Sequence, residues 1–138
     1  MQVSLKDIKG NLRKKYVQKY KIKWDGKSRS KFQRRVKQFL KPYWFSSIVF
    51  EEFPVYGTRL KVDIINLTKK IAVEAQGRQH EEFVKHFHGT KANLLNSMRR
   101  DGEKREWLEY NGFQLVEIYE KDILSIEFFE SQFGIKLL

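Results

Sequence analysis

The chain has 138 residues, of which 28 are Lys or Arg and 17 are Asp or Glu, and it contains no Cys. This length suits one compact α/β domain with a short extension rather than two domains, and the lack of Cys excludes disulfides and thiolate zinc sites. No segment has the character of a signal peptide or a membrane span, so we expect a cytoplasmic, intracellular protein with no membrane partner.

The positive charge is concentrated at the amino-terminal end. Residues 1–41 contain fifteen Lys or Arg and two Asp, whereas the rest of the chain contains thirteen basic and fifteen acidic residues. A surface of this kind binds a polyanion through phosphate contacts and counterion release; the alternative is a basic face that is only solvated. The residues that we expect to contact duplex DNA are Arg13, Lys14, Lys15, Lys21, Lys23, Lys27, Arg29, Arg78, Lys104 and Arg105.

The first predicted element is a helix that would carry much of this charge. Ser4 and Asp7 resemble a capping box, and apolar residues recur at helical spacing from Leu5 to Tyr20. We therefore predict that residues 1–28 form a basic helical extension that contacts DNA.

Residues 29–138 are predicted to form the folded core. Its first helix begins near Ser28 or Ser30 and stops at Pro42, because proline does not continue a helix. The elements predicted after it are strands at 47–53, 59–67 and 70–76, a helix at 90–110, a strand at 113–119 and a short helix at 122–133. This order predicts a mixed α/β domain.

The hairpin of the second and third core strands carries an unusual pair of acids. Closing it through residues 68–69 sets Asp63 opposite Glu74 on the polar face of the hairpin, and opposed residues have Cβ atoms about 5 Å apart. Like charges this close repel, and a divalent cation is the commonest reason for such a pair. The alternative is a pair of ordinary salt bridges, in which Asp63 binds Arg59 or Lys61 and Glu74 binds Lys70.

Three stretches together indicate a family. They are Asp63 with Glu74-Ala75-Gln76-Gly77-Arg78-Gln79-His80, then Arg99-Arg100-Asp101-Gly102-Glu103-Lys104-Arg105, and then Asn111-Gly112 followed by the last strand. Over residues 29–120 this pattern resembles the PD-(D/E)XK nuclease superfamily, and most closely its very-short-patch-repair branch, which includes phage homing endonucleases. The resemblance implies a restriction-endonuclease-like α-β-β-β-α-β core.

The resemblance also implies a magnesium site, in which manganese can substitute, and no nucleotide cofactor. Asp63 would be the central ligand, Glu74 its partner and the Ala75 backbone carbonyl a third ligand, with Glu52 as a further candidate. Oxygen ligands and retained waters suit magnesium. The ion would polarise the scissile phosphate and lower the pKa of the attacking water.

Two residues depart from the family pattern. Gln76 stands where many members have Lys, and Gln33 stands where relatives often have Glu, although it could still bond a metal-bound water. Either a basic residue replaces the missing charge, or turnover is slow. The candidate replacements are Lys104, Arg105 and Arg78.

His80 is the candidate general acid or base, because the unperturbed pKa of histidine lies near neutral pH. The resemblance implies that Asp101 orients His80 or binds metal. The alternatives are a surface histidine and helix-face ion pairs of Asp101. A zinc site formed by His80 with His86 and His88 is disfavoured, because the chain supplies no Cys ligand to complete it.

These observations predict a magnesium-dependent DNA endonuclease, of the phage homing type if the resemblance extends to origin. One alternative is a catalytically silent DNA-binding module on the same fold, since Gln76 and Gln33 depart from the pattern. The other is a resolvase of branched DNA, such as four-way junctions. A homodimer would suit paired cuts and a monomer would suit nicking.

Overall fold

The computed structural model describes residues 1–76 and 91–138, which form a mixed α/β fold. Its elements are, in chain order, β1 Gln2–Lys6, β2 Leu12–Tyr16, a 3₁₀ turn Gln18–Tyr20, α1 Lys31–Trp44, β3 Val49–Pro54, β4 Lys61–Asn66, β5 Ile71–Gln76, α2 Lys91–Tyr110, β6 Gln114–Tyr119 and α3 Ile126–Phe133. The boundaries of the four core strands lie within two residues of those predicted. Within the described ranges no helix is both long enough and apolar enough to cross a membrane.

The core sheet has the strand order β3-β4-β5-β6. The first three strands are antiparallel neighbours, and β6 runs parallel to β5. The register pairs Ile64 with Val73 and Asn66 with Ile71. Continued by one pair beyond Ile64, this register sets Asp63 opposite Glu74, as the sequence predicts.

Both faces of this sheet are covered. One face packs with α1 and α3 around Val36, Leu40 and Phe129, and the other packs with α2 and the β1–β2 segment around Trp107 and Leu5. The prediction that Asp63 and Glu74 lie on a polar face of the hairpin is therefore wrong, because both faces of the sheet are buried. Val62 and Ile64, which would share a face in a regular strand, belong to different clusters.

The prediction of an amino-terminal helix is also wrong, because residues 2–16 form a two-stranded antiparallel ribbon. Its turn is closed by Asp7, whose carboxylate accepts the N–H groups of Lys9 and Asn11 and binds the Arg13 side chain. Gly10 has φ +86°, a conformation that glycine adopts at little cost. Local turn chemistry therefore outweighs the helical spacing of the apolar residues.

Helix α1 begins as predicted and ends later. The Ser30 hydroxyl accepts the Gln33 N–H at 3.0 Å, an N-cap bond. The helix continues past Pro42 to Trp44, which is completely buried, and the Phe45 N–H bonds to the Lys41 carbonyl across the proline. We attribute the two additional helical residues to the burial of Trp44.

The carboxy-terminal helices end at left-handed glycines. Helix α2 ends before Gly112, which has φ +79°, and α3 ends before Gly134, which has φ +67°, as predicted from the glycine positions. The predicted start of α3 at residue 122 is wrong, because the Asp122 carboxylate accepts the Tyr119 N–H in a turn. Ser125 caps the helix instead.

Candidate active site

The centre of the candidate site is a pair of buried carboxylates on neighbouring strands. Asp63 on β4 is 3 % exposed and Glu74 on β5 is 5 % exposed. The Asp63 N–H donates to Glu74 Oε2 at 2.9 Å, and the Ala75 N–H donates to Asp63 Oδ2 at 2.9 Å. Each side chain thus bonds to the backbone of the other strand, which holds both acids at fixed positions.

The electrostatics of this pair are unfavourable. Burial, and after it the negative charge of Glu74, raise the pKa of Asp63 to about 7. The Ala75 N–H and the Arg29 guanidinium oppose this rise without cancelling it. The Ala75 N–H and Arg29 therefore supply too little positive charge to offset burial and the charge of Glu74 at Asp63.

Two basic side chains contact the pair, one at each acid. Arg29 Nη2, which precedes α1, lies 3.4 Å from Asp63 Oδ1, and the Arg29 side chain is 68 % exposed. Lys104 Nζ on α2 is paired with Glu74 Oε1. Of the predicted replacements for the missing lysine, Lys104 reaches the acids, whereas Arg105 binds Glu117 on β6 at 3.0 Å.

A polar stripe at four-residue spacing lies between α1 and β3 and was only partly predicted. Gln33 is buried, and its Nε2 donates to Glu52 Oε1 at 3.0 Å. Lys37 is completely buried, with Nζ 2.9 Å from Glu51 Oε1. Lys37 was missed by the sequence reasoning; the available signal was its position four residues after Gln33, on the same helix face.

The two glutamates of β3 have different surroundings. Glu51 also accepts the Lys23 N–H at 2.6 Å, so its carboxylate is occupied by structural partners. Glu52 has φ +50°, a left-handed conformation that is uncommon for residues other than glycine. Gln33 orients its side chain.

The donor set of the acid pair suits a hard cation. In the described ranges, no three Asp, Glu or His side chains form a group that could hold a metal ion. The side-chain ligands would be Asp63 and Glu74, with the Ala75 carbonyl as the third oxygen. Carboxylate and carbonyl oxygens completed by water are what magnesium prefers, so these residues fit the implied ion.

The remaining predicted residues occupy varied places. Gln76 is half-buried at the end of β5, and Asp101 is exposed on α2. Arg78 and His80, together with His86 and His88, lie outside the described residues. The ammonium of Lys15 lies 5.1 Å from the centre of the Tyr56 ring. Among the other predicted DNA contacts, those with exposed side chains are Arg13, Lys14, Lys21, Lys23 and Lys27.

Comparisons with known proteins find viral relatives. No family model matches the chain, and no solved structure matches it. It is 34 % identical over 80 residues to the uncharacterized protein 033L of Invertebrate iridescent virus 3, covering 58 % of this chain and 41 % of that protein. It is 38 % identical over 66 residues to the uncharacterized protein 094L of Frog virus 3 (isolate Goorha), covering 47 % of this chain and 43 % of that protein. The chain thus spans less than half the length of these curated relatives.

Proposed function

We propose that this protein is a magnesium-dependent endonuclease that hydrolyses phosphodiester bonds of duplex DNA. The observation that carries the proposal is the buried pair of Asp63 and Glu74, fixed on adjacent strands with too little positive charge around it. The order α1-β3-β4-β5-α2-β6 is the one that the family resemblance implies, and it supports the same proposal.

The ion, held by Asp63, Glu74 and the Ala75 carbonyl, would supply polarisation of the scissile phosphate and a more acidic water. Lys104 pairs with Glu74 and would bring a positive charge to the place where the phosphate gains negative charge. Arg29 is largely exposed beside Asp63, so it can contact a phosphate as the duplex approaches. The Gln76 amide can orient a water molecule but adds no charge.

A specific observation favours the silent DNA-binding module as the second candidate. All four carboxylate oxygens of Asp63 and Glu74 already have a protein partner: the Ala75 N–H, Arg29, the Asp63 N–H and Lys104. An acid pair in this state is partly compensated without a metal ion. Such a module would bind DNA and leave it intact.

A plasmid-nicking assay separates the two candidates. Wild type, Asp63→Asn and the surface control Glu127→Gln are incubated with supercoiled plasmid and Mg²⁺, Mn²⁺ or excess EDTA. We expect metal-dependent nicking by wild type and Glu127→Gln and none by Asp63→Asn, since asparagine keeps the size of the side chain and removes its charge. If wild type shifts DNA on a gel without cutting it, the binding module replaces the nuclease. Preferential cutting of a four-way junction would identify a resolvase.

A further inference from the structure

The β1–β2 ribbon has two different faces. Opposed residues of an antiparallel pair share a face, and the register therefore assigns three pairs to the outer face. These pairs are Gln2 with Tyr16, Ser4 with Lys14, and Lys6 with Leu12. All six side chains are exposed, and Tyr16 is 75 % exposed.

The inner face of the ribbon is used for packing. Leu5 is buried in the cluster that contains Trp107. Lys15 lies over the Tyr56 ring, and Arg13 binds the Asp7 carboxylate. The ribbon is thus held to the body mainly by its inner face. On the outer face the Lys6 ammonium lies 4.9 Å from the centre of the Tyr110 ring, and the other side chains of that face present polar, basic and aromatic groups to solvent.

The outer face has the size and chemistry of a base-reading element. A strand of five residues spans about 17 Å, and the major groove of B-form DNA, about 12 Å wide, admits a two-stranded ribbon. Gln side chains bond to adenine, Lys to guanine and Ser to either, and apolar groups contact the thymine methyl. The ribbon belongs to the segment with fifteen basic and two acidic residues, so its charge complements a phosphate backbone.

The ribbon is tied to the helix that also reaches the acid pair. Trp107 Nε1 donates to the Lys6 carbonyl at 2.7 Å, and the Lys6 N–H donates to Asn111 Oδ1 at 2.9 Å. Lys104, the partner of Glu74, lies one turn before Trp107, about 4.5 Å along the helix axis. A duplex seated on the ribbon would therefore lie close to Asp63 and Glu74.

We propose that the outer face of the ribbon enters the major groove of duplex DNA and reads base edges. This inference rests on the proposed endonuclease function for the identity of its ligand. It assigns Gln2, Ser4, Lys14 and Tyr16 to recognition and the surrounding lysines to phosphate contacts.

The test measures binding in an Asp63→Asn background, in which no cutting is expected. The probes are a mixed-sequence DNA duplex of about two helical turns, about 21 base pairs, its single strand, and an RNA duplex of the same sequence. The recognition variant is Lys14→Gln combined with Tyr16→Ser. The comparison variant is Lys15→Gln on the inner face, and Lys136→Gln at the far end of the chain is the charge-matched control.

We expect the recognition variant to weaken DNA-duplex binding about tenfold, because it removes a base or phosphate contact and an aromatic contact. Lys15→Gln should weaken binding less than about threefold, and Lys136→Gln should leave it unchanged. Dimethyl sulfate should show protection of guanine N7, which faces the major groove, and the recognition variant should lose that protection. The narrow major groove of the RNA duplex should make its binding insensitive to the recognition variant.

Three results would overturn the ribbon proposal. They are equal losses of binding in the recognition variant and in Lys15→Gln, equal losses for the DNA duplex and for the RNA duplex or the single strand, and no protection of guanine N7. The failure of the endonuclease proposal is a separate outcome. If the protein protects guanine N7 through the ribbon but never nicks plasmid, the ribbon proposal is supported and the endonuclease proposal fails. If the protein nicks plasmid equally well with and without the substitutions on the outer face, the endonuclease proposal is supported and the ribbon proposal fails.

Discussion

Two hairpins of this molecule each bury an aspartate, and their surroundings shift the pKa values of the two aspartates in opposite directions. In the β1–β2 ribbon, the Asn11 N–H, Arg13 and the Lys9 N–H hold the pKa of Asp7 below its usual range, against the effect of burial. In the β4–β5 hairpin, burial and Glu74 raise the pKa of Asp63 to about 7. Asp7 is a satisfied turn residue, whereas Asp63 is held in a place that disfavours its charge.

This difference separates structural acids from candidate functional ones. An aspartate that closes a turn gathers donors from residues close in sequence, and its charge stabilises the fold. A charge kept where it is costly indicates a role beyond folding, because strongly perturbed acids cluster at functional sites.

The largest effect is expected from neutralising the two aspartates in turn. Asp63→Asn should lower the nicking rate about 10³-fold, because the loss of a metal ligand removes several kcal/mol of transition-state stabilisation. Asp7→Asn should lower stability and leave the nicking rate of the folded protein near that of wild type. Nicking kinetics measured well below both unfolding midpoints check this, and a comparable loss of rate in the two variants would remove the contrast.

The buried side of α1 should be far more sensitive than its exposed side. Lys37→Met should lower the free energy of unfolding by about 3 kcal/mol, since it leaves Glu51 without its cation in a partly buried place. Lys41 is the matched control one turn later, because its partner Asp25 is exposed, and Lys41→Met should cost less than about 0.5 kcal/mol. Urea denaturation measures both. Equal losses would mean that the Lys37–Glu51 pair has no special role.

Two neighbouring basic residues on α2, Lys104 and Arg105, should differ in their effect on the nicking rate. Lys104→Gln should lower the nicking rate about 10²-fold, the usual effect of removing one electrostatic group from an active site. Arg105→Gln, which breaks the pair with Glu117, should have an effect at least about tenfold smaller. Single-turnover nicking of plasmid measures both rates. If Arg105→Gln is the more damaging change, the missing lysine is not replaced by Lys104.

The two aspartates should also impose opposite pH dependences on stability. The raised pKa of Asp63 contributes stability that is present below pH 3.8 and lost as the pH rises through about 7. The lowered pKa of Asp7 contributes stability that is present above pH 3.8 and lost as the pH falls further. In metal-free protein the unfolding midpoint should therefore fall between pH 5 and pH 8 in wild type and stay flat in Asp63→Asn. A flat wild-type profile would contradict the raised pKa.

The fold of the core was predictable because its signals are local. The short turn at residues 68–69 predicts the β4–β5 register, and Ser30, Gly112 and Gly134 mark helix ends through capping. The ribbon was missed because the apolar residues between Leu5 and Tyr20 recur at a spacing that suits a helix. The signal that decides is the turn from Asp7 to Gly10, in which the Asp7 carboxylate accepts the Lys9 N–H and Gly10 has φ +86°.

The candidate site was predictable only as far as strand pairing reaches. Opposition across the hairpin identifies Asp63 and Glu74 together. The approach of Arg29, Lys37 and Lys104 depends on how two helices pack against the sheet, and no local pattern encodes that packing. The sequence therefore offered Lys104 as one of several replacements for a lysine at position 76, and the structure shows its contact with Glu74.

A calorimetric titration of Mn²⁺ into metal-free wild type and Asp63→Asn at pH 8 measures whether Asp63 and Glu74 bind a divalent ion. The buried pair should bind one divalent ion in wild type, and Asp63→Asn should lose that site while keeping its fold by circular dichroism. Identical binding by the two proteins, or none by either, would contradict a metal centre on the β4–β5 hairpin.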